Sequence, residues 1–210
     1  DDIPWDIAAA LSIGYGTSYH ALKQRAGIEP GETILVLGAA GGVGSSAVEL
    51  AVAMGARVIA AASSSDKTDF CRELGADVVI DHRETPDWVD AVRDASGGGV
   101  DVAYDPVGGD TFDLSTKCIA FEGRILVIGF ASGRIPNAAL NRVLVKNFSI
   151  VGVHWGLYFD RDPQVLVEAQ REIDRLYEAG QLRPLVSASY PLESAAKALD
   201  ALASRKTSGK

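Results

Sequence analysis

Short apolar runs rich in valine and isoleucine recur along most of the chain and alternate with longer amphipathic stretches. Runs that are apolar at nearly every position are typical of parallel strands that are buried on both faces. We therefore predict six strands, at Thr33–Gly38, Arg57–Ala62, Val78–Asp81, Asp101–Asp105, Arg124–Ile128 and Ser149–Val153.

Helical stretches lie between these strands. They are predicted at Val43–Met54, Lys67–Leu74, Asp87–Ala95, Thr111–Ile119 and Ala138–Lys146. Because crossovers between parallel strands are right-handed, the alternation predicts an α/β fold: a doubly wound parallel six-stranded sheet with helices on both faces. Six strands in two halves fit the spatial order 3-2-1-4-5-6.

Two segments flank this core of residues 33–153. A leading helix is predicted over residues 7–25 and a C-terminal tail over residues 163–204. The predicted elements of the tail are a helix at Pro163–Ala179, a strand at Leu185–Ser189 and a helix at Leu192–Ser204. No internal repeat divides the chain, so we expect residues 1–210 to form one domain.

The chain has 20 basic and 28 acidic residues and a formal net charge of −8. An acidic chain without a basic stripe is a poor nucleic-acid binder, because phosphate contacts need Lys and Arg. No apolar run approaches the roughly 20 residues of a membrane span, and the first residues do not resemble a signal peptide. Cys71 and Cys118 form no CxxC pair, which favours two buried free thiols in a cytoplasmic protein.

The most informative stretch is the glycine loop, residues 38–45, where a buried strand leads through glycines directly into a helix. Glycine permits positive φ and removes the Cβ atom that would block a phosphate, which the amides and dipole of the helix start attract. The match to G-x-G-x-x-G is imperfect, since Ala39 replaces one glycine. The strand before the loop and the helix after it nevertheless indicate a Rossmann-type dinucleotide site, in which Gly44 lets the helix pack close to the strand.

Two other loop classes fit less well. A P-loop is excluded because no Lys-Ser or Lys-Thr pair follows the glycines. The spacing also fits the G-x-x-x-G-x-G loop of short-chain reductases, which place a Tyr-x-x-x-Lys pair downstream. Here the only such pair, Tyr19 and Lys23, lies upstream of the loop.

The end of the second strand indicates which nucleotide is bound. NAD sites usually place Asp or Glu there for the ribose 2′-hydroxyl, but Ser63 and Ser64 stand in that position. These hydroxyls can donate to a phosphate and Lys67 can supply charge, whereas a carboxylate would repel a phosphate. Asp66 is a counter-argument, but it falls just before a helix, where Asp most often caps. We therefore predict NADPH as the cofactor.

Further motifs extend along essentially the whole chain: Ala9–Leu11, Gly16–Leu22, Gly27–Glu32, Gly38–Ser45, Asp105–Gly109, Gly129–Gly133, Lys146–Asn147 and Gly152–Gly156. Together they resemble the zinc-independent quinone oxidoreductases of the medium-chain dehydrogenase/reductase superfamily. The likeness is specific for the superfamily and less specific for the substrate.

The resemblance implies a role for residues along the whole cofactor. The pyrophosphate would be held by Ala40, Gly41, Gly42 and Val43. The adenosine 2′-phosphate would be surrounded by Ser63, Lys67, His82 and Arg205, with Tyr common in the family at the place of His82. The ribose would lie near Asp105, Val107 and Gly108, and the nicotinamide near Thr17, Gly129, Phe130 and Ala131. Trp155 would flank the substrate cavity, with core filling or a dimer contact as its alternative.

Family members carry an N-terminal catalytic domain that covers the nicotinamide. This sequence begins near the leading helix, and Lys210 stands where a further apolar strand is expected. The resemblance therefore implies a cofactor-binding domain whose catalytic partner domain lies outside this sequence.

The activity implied is hydride transfer from NADPH to a small-molecule electron acceptor, a quinone or an activated enone. No His, Cys and Glu cluster has catalytic-zinc spacing, so no metal is expected, and no residue stands out as the proton donor. A zinc-free enoyl or alkenal reductase and a non-catalytic nucleotide-binding module stay open. A methyltransferase is disfavoured, because the acidic residue expected at the second strand end is missing.

The sixth strand, Ser149–Val153, is expected at the edge of the sheet, where unpaired backbone groups seek a partner. We therefore predict a homodimer formed by edge-to-edge pairing of this strand, and the family resemblance supports it.

Overall fold

The computed structural model describes residues 3–204 and 207–210 and contains a six-stranded sheet. The strands are β1 Thr33–Leu37, β2 Arg57–Ala62, β3 Val78–Asp81, β4 Val100–Asp105, β5 Ile119–Val127 and β6 Ser149–Gly152. Their order is β3-β2-β1-β4-β5-β6, and each neighbouring pair is parallel. The predicted doubly wound fold and its strand order are confirmed.

Helices connect the strands and flank the sheet. Those between strands are Gly42–Ala53, Ser65–Glu73, Trp88–Ser96, Gly109–Cys118 and Leu140–Lys146, and the longer tail helices are Pro163–Glu178 and Ala195–Ala203. The leading helix consists of four consecutive segments, Trp5–Ala10, Leu11–Tyr15, Gly16–Tyr19 and His20–Ala26, and the second and fourth are π-helical. No helix of the described residues combines the length and the apolar character that crossing a membrane requires.

Strand β1 lies inside the sheet and is buried on both faces. Ile34 and Val36 belong to one hydrophobic core cluster and Leu35 and Leu37 to the other, and all four are at most 2% exposed. Successive side chains of a strand point to opposite faces, so helices on both sides of the sheet explain the unbroken apolar run. Burial of each such side chain stabilises the fold by about 1.5–3 kcal/mol.

The strand predicted at Leu185–Ser189 is wrong, since these residues have no regular secondary structure. Only a short pairing forms among the described residues: the Lys210 amide donates to the Leu185 carbonyl at 2.8 Å, and the Ser187 amide donates to the Lys210 carbonyl at 2.5 Å. A strand needs an extended neighbour over several residues. A contact with Lys210 alone does not provide one.

Strand β5 begins at Ile119, five residues before its predicted start at Arg124. Phe121 and Glu122 are exposed, and Glu122 has a positive φ of 58°. The first half of the strand therefore lacks the apolar pattern of a covered parallel strand. The register between β4 and β5 also shifts between Val100 and Val102.

Candidate functional site

A cavity of about 380 Å³ lies at the carboxyl ends of the central strands, where the chain turns from one half of the sheet to the other. Ligands of doubly wound sheets bind at such switch points. Its lining is Leu37, Gly38, Ala40, Gly41, Gly42, Val43, Gly44, Ala61, Ala62, Ser63, Lys67, His82, Arg83, Trp88, Pro106, Val107, Thr111, Ala131, Leu202, Thr207 and Gly209.

The structure brings many of the predicted site residues to this cavity. Those that line it are Ala40, Gly41, Gly42, Val43, Ser63, Lys67, His82, Val107 and Ala131. Those that do not are Thr17, Ser64, Asp105, Gly108, Gly129, Phe130 and Trp155. Arg205 lies outside the described residues.

The glycine loop forms one end of the cavity. Gly38 has a positive φ of 58°, and its carbonyl accepts the Gly41 amide at 2.9 Å, which closes a tight turn. The helix begins at Gly42, and its first hydrogen bond runs from the Ser45 amide to the Gly41 carbonyl at 2.8 Å. The amides of a helix's first turn have no partner within the helix, so this end of the cavity can receive an anion.

The other end lies beside the carboxyl ends of β2 and β3, where Ser63, Lys67, His82 and Arg83 line the cavity. None of the described lining residues is Asp or Glu. Ser64 is instead the N-cap residue of the helix Ser65–Glu73, which begins two residues earlier than predicted. The expectation that Asp66 caps this helix is therefore wrong, since Asp66 lies within its first turn, where the helix dipole stabilises a carboxylate.

Asp105 shapes the wall of the cavity without lining it. Its Oδ1 accepts the amides of Val107 and Gly108, both at 2.8 Å, and so fixes the turn after β4. Burial raises the pKa of the Asp105 carboxyl, and the two amide donors partly offset this rise. Gly108 has a positive φ of 66°, and a Cβ atom there would lie 2.9 Å from the Phe130 ring.

A buried hydroxyl network joins the leading helix to the glycine-loop helix. Ser18 Oγ lies 2.9 Å from Ser46 Oγ and 2.8 Å from the Tyr104 hydroxyl, and it donates to the Val43 carbonyl at 3.0 Å. Burial raises the pKa of Tyr104, which keeps its hydroxyl protonated. The network fixes the segment that carries the half-buried Thr17 beside the start of the loop helix.

Trp155 packs on the leading helix rather than on the cavity. A Cβ atom on Gly16 would lie 2.9 Å from Trp155 Nε1, and the His20 ring lies 5.2 Å from the Trp155 ring between centroids. Trp155 is buried, so these contacts agree with its alternative role in core filling.

Several residues near the cavity were missed by the sequence analysis. Arg83 follows His82 directly, and a basic pair after a strand end could have signalled it. Thr111 and Trp88 gave no signal. Neither did Lys210, whose Nζ would lie 3.2 Å from a Cβ atom on Gly42, because only the folding of the tail brings it to the loop.

The described residues contain no cluster of three or more His, Cys, Asp or Glu side chains that could hold a metal ion. Cys71 and Cys118 are free and buried, as predicted. Burial raises the pKa of Cys71 to about 12 and that of Cys118 to about 11, so neither thiol is a reactive nucleophile near neutral pH.

Comparison with known families gives a match to the zinc-binding dehydrogenase family over residues 42–171. The quinone oxidoreductase-like protein 2 homolog of Nematostella vectensis is 42% identical over 206 residues, which are 97% of this chain and 56% of the relative. The chain therefore spans little more than half the length of this relative.

Two solved structures show the same architecture. Escherichia coli quinone oxidoreductase complexed with NADPH is 32% identical, with a TM-score of 0.91 over 99% of this chain and 64% of its own. The CurK enoyl reductase is 26% identical, with a TM-score of 0.86 over 100% of this chain and 62% of its own.

Proposed function

We propose, from the premise that this chain belongs to the zinc-binding dehydrogenase family, that it is the NADPH-binding domain of an oxidoreductase that reduces a quinone or an activated enone. Its resemblance to the quinone oxidoreductases of the medium-chain superfamily is confirmed. One observation carries the proposal: the cavity joins a glycine loop that can receive an anion to a basic end at which no described lining residue is a carboxylate. The NADPH complex of the Escherichia coli neighbour supports the same cofactor.

The residues of the cavity fit this cofactor. Gly38, Gly41 and Gly42 line the cavity without a side chain, and the first-turn amides from Gly42 onward would hold the pyrophosphate. Ser63 and Lys67 would bind the 2′-phosphate by hydrogen bonding and charge.

When bound, NADPH supplies the hydride, so the task of the chain is to orient the nicotinamide and exclude water. Thr17 on the leading helix and the turns 105–108 and 129–131 are proposed to position the nicotinamide half. We name no proton donor among these residues.

Zinc has no place in this proposal, although the family description includes it. The described residues offer no three-donor cluster, and we derive no step from a metal. Zinc independence stays a prediction, which metal analysis of the purified active enzyme tests.

The likeness to an enoyl reductase favours activated enones as a second candidate class of substrate. Quinones and alkenals are both conjugated carbonyl compounds that delocalise the negative charge left by hydride transfer, so one cofactor site could serve either. NADPH oxidation by the full-length protein, with a panel of quinones, alkenals and enoyl thioesters, separates the two classes. Tight NADPH binding without oxidation by any acceptor favours the third candidate, a non-catalytic nucleotide-binding module.

The cofactor assignment is tested by titrating the protein separately with NADPH and NADH and following the reduced nicotinamide by fluorescence. We expect NADPH to bind at least about tenfold tighter, or roughly 1.4 kcal/mol. Lys67→Glu should remove this preference, because a carboxylate would repel the 2′-phosphate.

Asp69→Asn is the matched control, an exposed change on the same helix that should leave the preference intact. Equal affinity of the unchanged protein for both nucleotides contradicts the NADPH assignment.

A further inference from the structure

The turn after β3 is tied to the basic end of the cavity by two backbone hydrogen bonds. The His82 amide donates to the Ala62 carbonyl at 3.1 Å, directly before Ser63. The Arg83 amide donates to Asp81 Oδ1 at 3.0 Å, which makes an Asx turn. These bonds hold His82 against the end of β2 and use the Asp81 carboxylate within the turn.

Charged groups near His82 lie on its own turn and on the neighbouring helix. Arg83 and Asp81 flank it on its own turn, and Lys67 reaches the cavity from the helix Ser65–Glu73. Asp66 on this helix and Glu84 on the turn after β3 carry exposed carboxylates, and neither residue lines the cavity. Among the described residues, the remaining nearby elements contribute uncharged lining residues, Trp88, Leu202 and Thr207, while Arg205 lies outside the described part of the chain.

We propose that His82 is a pH-dependent specificity determinant, which takes up a proton when the 2′-phosphate binds and then pairs with it as an imidazolium. The proposal rests on the proposed function and adds how the site discriminates NADPH from NADH. The proton comes from solvent and binds to the imidazole as the dianionic phosphate arrives. NADH lacks this phosphate, so His82 should stay neutral when NADH binds.

The charge balance explains why the proton is taken up only on binding. Without ligand, desolvation by the surrounding protein and the nearby Arg83 charge lower the pKa of His82, outweighing the Ala62 carbonyl and Asp81, which raise it. The imidazole is therefore mostly neutral at pH 7. A phosphate carrying about two negative charges within hydrogen-bond distance favours the charged form and raises the pKa again.

Proton uptake is measured directly by calorimetry of NADPH binding at pH 7, in two buffers with different ionisation enthalpies. The unchanged protein should take up protons with NADPH and not with NADH. His82→Gln should abolish the uptake. The phosphate itself has a second pKa of about 6, so its own titration gives proton release, the opposite sign.

The same linkage predicts how nucleotide preference varies with pH. Between pH 8.5 and pH 6.5, the ratio of NADH to NADPH dissociation constants should rise about threefold or more in the unchanged protein, since a rise of one pKa unit corresponds to tenfold. In His82→Gln the ratio should stay level or fall. Asp69→Asn, the exposed change on the helix Ser65–Glu73, is again the matched control: it should leave both the preference for NADPH and its pH dependence in place.

The outcomes separate this proposal from the one on which it rests. No preference for NADPH at either pH overturns the cofactor assignment. A preference without proton uptake, or uptake that survives in His82→Gln, overturns the role of His82 alone. His82 lies outside both core clusters, so its substitution tests binding rather than folding.

Discussion

At Gly44 the absence of a side chain decides how closely two elements approach. A Cβ atom there would lie 2.2 Å from the Gly38 carbonyl oxygen and 2.8 Å from the Ala39 Cα. Both neighbours are backbone atoms, so no side chain can move aside. The sequence motif assigned this packing role to Gly44, and the geometry gives it a physical reason.

Gly44→Ala should therefore push the loop helix away from β1. We expect a loss of about 1–3 kcal/mol in unfolding free energy from overpacking, with at least about tenfold weaker nucleotide binding. Urea unfolding and NADPH titration measure both effects. Gly156→Ala is the control, because its Cβ atom would meet only ordinary contacts at 3.7 Å. Equal behaviour of the two variants would contradict the packing role.

Residue types alone could not identify the whole cavity. The glycines and Ser63 were visible because they follow strand ends at spacings that a dinucleotide site requires. Thr111 and Lys210 carry no such spacing, and Lys210 is about 170 positions from the loop that it contacts. Asp105 was predicted as a cofactor contact, but its carboxylate is used by the turn after β4.

Among the elements, the strands were predicted well because burial on both faces leaves an unbroken apolar run. Prediction failed where the environment is different. The first half of β5 is exposed at Phe121, and the tail segment from Leu185 meets only Lys210 as a pairing neighbour among the described residues. Neither the exposure of the first half of β5 nor the short pairing of the tail can be predicted from the local sequence.

The contact between the leading helix and the loop helix depends on Ser18. Ser18→Ala would remove a shared partner from buried Ser46 and Tyr104, and we expect a loss of about 1–3 kcal/mol in unfolding free energy. Ser12→Ala, an exposed change on the same helix, should cost far less.

A double-mutant cycle in urea distinguishes the network from separate contacts. The combined Ser18→Ala and Tyr104→Phe variant should lose less stability than the sum of the single changes, because the first change already breaks their hydrogen bond. Strict additivity would show that the two hydroxyls act independently.

Strand β6 forms one of the two edges of the six-stranded sheet. Among the described residues this strand pairs with β5 alone, and its neighbouring helix Leu140–Lys146 exposes Leu144 and Val145, each at 81%. An apolar surface beside an unpaired edge is costly to leave in water. These features support the proposed homodimer.

Light scattering over a range of protein concentrations measures this assembly. We expect this chain to show a mass of twice its own 22.1 kDa. Val145→Glu should shift the population towards the monomer, whereas Val167→Glu, an exposed apolar position on the tail helix, should not. A monomer at every concentration would contradict the dimer.

The return of residues 207–210 to the glycine loop has a thermodynamic consequence. The Gly209 amide donates to the Ala40 carbonyl at 2.9 Å, and Thr207 and Gly209 form part of the cavity wall. A nucleotide that touches this wall gains affinity when the tail is docked, and by linkage it must hold the tail in place to the same extent. Nucleotide binding and docking of residues 207–210 should therefore stabilise each other.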